Sequence, residues 1–171
     1  MEPNQRKLII TVAITAILLL VLWQTSTVTI GSGEAGVLYK QFGGGTVTDK
    51  TYPEGFHVLA PWNKMYIYNV RNQEVKENMT ALSKNGLSIE LEMSIRFRPV
   101  EDDLGIIHKS LGQNYPNVIV MPEVRSSARK VIGRYDPEEL YSSKRDFIQE
   151  EIFSDVKKRL KDKNIYLDAI L

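Results

Sequence analysis

The chain has 171 residues, a formal net charge of +1 and no cysteine. Without thiols it can build no disulfide, thiolate zinc site or cysteine nucleophile, and a near-neutral balance argues against a nucleic-acid-binding protein. Its two histidines, His57 and His108, are isolated and make no HExxH or His-rich ligand pattern, so the sequence points to no metal and no cofactor.

The first element is Leu8–Trp23 (LIITVAITAILLLVLW), a run with no charge, Pro or Gly. Its only polar residues are Thr11 and Thr15, and a helical threonine can return its hydroxyl to a carbonyl one turn back. At about 1.5 Å per residue the sixteen residues reach roughly 24 Å, short of a hydrocarbon core near 30 Å. Continuing the helix through Gln24–Ile30 closes the gap, with Trp23 at the interface. Arg6 and Lys7 precede the run, and the next basic residue after it is Lys40. The positive-inside rule then keeps the N-terminus cytoplasmic and exports Gly31–Leu171. A cleaved signal peptide is the competing reading, but the run is long for an h-region and TSTVTIGSG offers no clean cleavage site. A merely buried helix is the third.

After the anchor, Ala35–Lys40 reads as a strand. The Gly43-Gly44-Gly45 triplet leads into Thr46-Val47-Thr48 rather than a helix, so it is a turn and not a phosphate loop. Pro53-Glu54-Gly55 is another turn, followed by strands at Phe56–Trp62 and Met65–Val70. Glu74–Leu82 and Leu87–Arg98 form a hairpin with Asn85-Gly86 at its tip. In its second arm Ile89, Leu91, Met93, Ile95 and Phe97 share one face, predicted buried, and Ser88, Glu90, Glu92, Ser94, Arg96 and Arg98 the other. Glu90 and Glu92 read as a wet sheet face rather than an acid–base pair, because nothing apolar surrounds them to raise a pKa.

Beyond Pro99 the period changes to helical. Asp102 or Asp103 caps a short helix carrying Leu104, Ile107 and Leu111 and ended by Gly112. A second helix is predicted from Asn117 to Gly133, with Val118, Met121, Val124, Ala128, Val131 and Ile132 on one side and a kink or late start at Pro122. Asp136-Pro137-Glu138-Glu139 starts a third that runs to Asp162, with a stripe of Ile148, Ile152, Val156 and Leu160. Lys157, Lys158, Arg159, Lys161 and Lys163 crowd its last turns, where the helix dipole favours cations. Ile165–Leu171 reads as a strand in which the chain stops, the pattern of a fragment.

The fold class is therefore α+β: a cytoplasmic N-terminus at 1–7, a transmembrane anchor and linker at 8–30, a β-rich half at 31–99 with a twisted antiparallel sheet, and a helical half at 100–171. Several local motifs, in order, resemble the stomatin/prohibitin/flotillin/HflK-C (SPFH, or band 7) family, and its prohibitin branch in particular. They are Gly36-Val37, Gly55-Phe56-His57, Pro61-Trp62, Phe97-Arg98-Pro99, Gly112 with Tyr115, Pro122, Arg134-Tyr135-Asp136 with Leu140, and Leu167-Asp168. The likeness covers about residues 30–171.

The resemblance implies a non-enzymatic membrane scaffold. It implies a single-pass protein with its body on the outer, periplasmic-type side, or in the mitochondrial inner membrane of a eukaryote. Such proteins carry a coiled-coil helix after this region and assemble with copies or paralogues into rings or cages. Prohibitins and bacterial relatives associate with AAA membrane proteases. The coiled coil is missing here, so the chain alone is expected to be monomeric or weakly associating. An alternative is a lipid-binding organiser of membrane domains, with Phe56–Tyr68 contacting the membrane surface. A serine hydrolase is the reading from another class; Ser83, Ser110, Ser126 and Ser127 are its candidates, and none lies on a nucleophile elbow.

Overall fold

Helix α1 (Pro3–Thr25) opens the computed structural model, which describes residues 3–141 and 144–171, without the side chains of residues 3, 4, 6–9, 19 and 22. The charges that set the expected orientation, on Arg6 and Lys7, lie outside the described side chains. The Thr15 hydroxyl donates to the Thr11 carbonyl at 2.9 Å, as expected of a threonine in an apolar helix. The helix does not continue to Ile30. It stops at Thr25, and strand β1 (Thr27–Ile30) follows at once, because four consecutive β-branched residues favour the extended chain. Among the described residues no helix is long and apolar enough to cross a membrane.

Three small antiparallel sheets follow in place of the single sheet expected. β1 pairs with β4 (Gly55–Val58); β2 (Glu34–Lys40) lies between β3 (Gly45–Thr46) and β5 (Lys64–Asn69); and β7 (Ser88–Pro99) lies between β6 (Gln73–Leu82) and β8 (Ile165–Ile170). The strand expected over Phe56–Trp62 ends at Val58, since Pro61 has no N–H to give a ladder. The sheet of β6, β7 and β8 takes strands from both sides of Pro99. Far from stopping half-paired, Ile165–Ile170 pairs along β7 from Pro99 back to Ile95, with a bulge at Arg96/Phe97.

The hairpin has the expected register, from Gln73 opposite Phe97 to Leu82 opposite Ser88. At its tip only Gly86 takes positive φ, +82°, and its N–H reaches the Ser83 carbonyl at 2.9 Å. Three residues therefore close the loop, with glycine in the left-handed position. Ile89, Met93, Ile95 and Phe97 are buried; Leu91, beside which no strand among the described residues flanks β7 on its second side, is only half-buried.

Helices α3 and α5, described below, pack on this sheet, and α2 packs on β2 and β3. α2 (Leu104–Ser110) is preceded by a tight turn at Glu101–Asp103, and no side chain caps it. It lies flush on the chain after β3: a Cβ on Gly105 would stand 2.5 Å from the Val47 carbonyl oxygen and 2.6 Å from Thr48 Cα. The second predicted helix is two pieces, a π turn at Pro116–Val120 and α3 (Met121–Ile132). Pro122 has no N–H for the α ladder, and the chain changes register just before it. Val118, on the π turn, is exposed instead of sharing the face of Val124 and Ala128.

The long third helix is also divided, into α4 (Pro137–Leu140), started by the predicted Asp136/Glu139 capping box, and α5 (Arg145–Lys161). The α5 stripe Ile148, Ile152, Val156 and Leu160 is buried throughout. Polar pairs border the α3–α5 seam: Arg159 to Glu123 at 2.9 Å, and Lys130 to Asp155 at 3.2 Å.

Candidate membrane-facing surface

The β1–β4 ribbon hangs directly from the end of α1. The Leu59 N–H donates to the Ser26 carbonyl at 2.7 Å, and the Ser26 N–H to the Trp23 carbonyl at 3.2 Å. In the ribbon Thr27 faces Val58 and Thr29 faces Phe56, so these four share one face. That face buries neither apolar residue: Phe56 is 62% and Val58 68% exposed. The other face carries His57, whose ring stands edge-on to Tyr52 at 5.6 Å and whose Nε2 lies 2.7 Å from the Pro53 carbonyl.

Two neighbouring turns add a second apolar pair. Phe42, before the glycine triplet, meets Trp62 edge-to-face at 6.2 Å, and the two are 75% and 51% exposed. The triplet holds positive φ at all three glycines, which a turn there requires. Phe42 escaped the sequence reading because it sits in a turn; an aromatic residue beside a glycine run, where turns are otherwise polar, was the available signal.

The aromatic stretch Phe56–Tyr68 is thus split in two. Phe56, Val58 and Trp62 face solvent, whereas Tyr68 is buried and Tyr66 partly so. Tyr66 stacks on His108 with ring centres 4.2 Å apart, and Tyr68 packs on Tyr115, which meets Phe97 edge-on. Gln73 Nε2 donates to the Tyr115 hydroxyl at 2.9 Å. Burial pushes both the Tyr68 and Tyr115 hydroxyls above their usual range.

The candidate serines are placed apart from the histidines. Ser83 is buried in the hairpin turn and donates to Asn85 Oδ1 at 2.7 Å. Ser110 donates back to the Ile106 carbonyl, and Ser127 is buried between α3 and α5. Ser126 lines a shallow surface depression with Arg125 and Arg129. Among the described residues none of the four shares a hydrogen bond with His57 or His108, whose ring nitrogens meet Pro53 and Tyr68. Glu90 and Glu92 lie on the outer face of β7. The basic run at the end of α5 is not uniformly free, since Arg159 is held by Glu123 and Asp155 and Lys157 lies over the Phe153 ring.

The chain resembles known proteins over most of its length. A family profile described as SPFH domain / Band 7 family matches residues 28–171. Similar proteins include "Prohibitin-1, mitochondrial" of Arabidopsis thaliana, 26% identical over 82% of this chain and 48% of the relative. "Prohibitin-7, mitochondrial" of the same plant is 27% identical over 85% and 52%. "Prohibitin 1" of Mus musculus is 26% identical over 82% and 51%. The chain spans about half the length of the curated relatives it matches.

Proposed function

Since the chain belongs to the SPFH domain / Band 7 family, on its prohibitin-like branch, a family of generally non-enzymatic scaffolds, we propose that it is a membrane-anchored scaffold. In this reading it is held by α1 and braced on the bilayer surface by Phe42, Phe56, Val58 and Trp62. The observation that carries the reading is the exposure of those four apolar side chains on turns and strands just after α1. Large apolar groups left in water usually mark an interaction site, and aromatic rings suit the membrane–water boundary. The sequence of α1 supports the anchor: counted with the residues whose side chains are not described, its 23 residues hold the uncharged run Leu8–Trp23. At 1.5 Å per residue that helix is roughly 35 Å long, enough for a hydrocarbon core near 30 Å.

Arg6 and Lys7 in the sequence before the apolar run support a body on the side opposite the cytoplasm. In a bacterial cell that is the periplasmic side. In a eukaryotic cell the setting is the mitochondrial inner membrane, in line with the word mitochondrial in the names of the Arabidopsis relatives. The scaffold assembles with copies or paralogues into rings or cages and modulates an AAA membrane protease. Organising lipid domains without a protease is the second reading, favoured by the apolar surface itself.

The test reconstitutes the full chain carrying Trp23→Phe into vesicles with brominated acyl chains, leaving Trp62 as the only tryptophan. Quenching of Trp62 and resistance to alkaline carbonate extraction are expected. A fully extractable chain with unquenched Trp62 overturns the reading.

A further inference from the structure

Strand β6 forms the edge of its sheet on the side away from β8. The Ser83 N–H donates to the Leu87 carbonyl at 2.8 Å, and bonded and non-bonded pairs alternate along an antiparallel ladder. The bonded pairs with β7 are therefore Ala81–Ile89, Met79–Leu91, Glu77–Met93 and Val75–Ile95. The N–H and C=O groups of Glu74, Lys76, Asn78 and Thr80 point the other way, off the edge. Among the described residues nothing bonds them.

Helix α3 runs beside this edge in the same direction as β6. Just before the helix the Tyr115 hydroxyl accepts from Gln73, at the start of β6. Further along, Arg125 Nε donates to Glu77 Oε1 at 2.6 Å, and a Cβ on Gly133 would stand 3.7 Å from the Leu82 carbonyl oxygen. Steps of four, three and four residues put Val118, Pro122, Arg125 and Arg129 on one flank, and the bond from Arg125 to Glu77 marks it as the flank beside β6. Pro122, Arg125 and Arg129 line a depression there, and Val118, on the π turn, is exposed. A groove thus lies between a free strand edge and a helix flank, apolar at Val118 and Pro122 and cationic at Arg125 and Arg129. The two carboxylates of β6 are already held, Glu77 by Arg125 and Glu74 by Ser94 and Arg96. Arg129, like Lys76 on the outer face of β6, is exposed and in no salt bridge among the described residues.

We propose that this groove receives an extended segment of a partner protein, acidic in its first half and apolar in its second, added as a strand antiparallel to β6. Backbone bonds to Glu74, Lys76, Asn78 and Thr80 supply affinity, and side chains at alternate positions supply specificity, as in other strand-addition complexes. The antiparallel direction is the more stable pairing. The pleat turns every second side chain toward α3. The early ones then meet Arg129 and Arg125, where guanidinium groups favour carboxylates, and the later ones meet Pro122 and Val118. A second copy of this chain is a poor occupant, because its own β6 brings no free carboxylate to the two arginines. Nothing in this groove requires the membrane reading.

The experiment is fluorescence anisotropy of short labelled peptides titrated with the full chain in detergent. The first peptide carries two glutamates and then two valines at alternate positions, with threonine between them. It is expected to bind about tenfold more tightly than a peptide with lysine in place of glutamate, because the charge beside the arginines changes sign. It should also bind more tightly than the same residues in reversed order. Arg129→Glu should invert the preference between the glutamate and lysine peptides, and its gain of the lysine peptide reports that it is folded. Arg129→Gln should narrow the ratio toward one. N-methylating the amides that face β6 should abolish binding to the unmodified chain. Equal binding of the glutamate and lysine peptides, equal binding of the reversed peptide, or no binding at all overturns the proposal. An unchanged preference in both Arg129 variants, or binding that survives N-methylation, does the same. So does light scattering that shows a dimer lost in Arg129→Glu, since the edge is then occupied by a second copy.

Discussion

The Tyr68 hydroxyl lies 2.7 Å from His108 Nδ1, and this contact joins α2 to β5 across 40 positions of sequence. Burial keeps the phenol protonated and lowers the pKa of the imidazole, so both partners are neutral in the fold. With the phenol as donor, Nδ1 accepts and the ring proton sits on Nε2.

The linkage has a definite sign. The folded-state pKa of His108 lies below its ordinary 6.5. Above 6.5 neither state binds the proton and the neutral ring is not penalised. As pH falls below 6.5 the unfolded chain takes the proton first, and stability declines until the folded value is passed. Thermal melts should therefore show a falling midpoint just below neutrality, and His108→Gln should flatten that limb. Glu74, held low by hydrogen bonds from Ser94 and Arg96, loses its contribution only below its ordinary 4.5, which separates the two effects. An unchanged limb in His108→Gln contradicts the assignment.

The two ends of the inner face of β7 predict unequal costs for truncation to alanine. Ile95 is fully buried between β6 and β8, so Ile95→Ala should cost roughly 2–5 kcal/mol in denaturant titration. Leu91 lies beyond the reach of β8 at the wall of an open cavity, where neighbours can relax into the space. Leu91→Ala should cost clearly less. Equal losses would mean that the cavity wall packs as tightly as the core.

Gly105 tests how closely α2 sits on the sheet. Alanine is ordinarily the better helix former, by roughly 1 kcal/mol. Here its Cβ meets the backbone at Val47 and Thr48, which cannot rotate away. Gly105→Ala should therefore destabilise by roughly 1–3 kcal/mol, the cost of overpacking. A stabilised variant would show that α2 has room to move outward.

What the sequence by itself determined is the set of faces. Alternation in β7 and the four-residue stripe of α5 came through as buried surfaces, because a period of two or 3.6 must be satisfied whatever the partner is. The prohibitin-like family was legible too, through motifs held in order. The capping box at Asp136 and the glycine at the hairpin tip were also readable, since both depend on neighbours a few residues away. The end of α1 was misread because an apolar run specifies a helix only until β-branched residues find a strand partner, and β4 lies 25 residues further on. Tertiary structure alone decided which of the aromatic residues between Phe56 and Tyr68 faces solvent, since α2 and the Tyr115 turn bury Tyr68 while leaving Trp62 out. It alone decided that β8 pairs with β7 between Pro99 and Ile95. Strand pairing between residues some 70 positions apart depends on where α3 and α5 bring the chain back, and no local period carries that information.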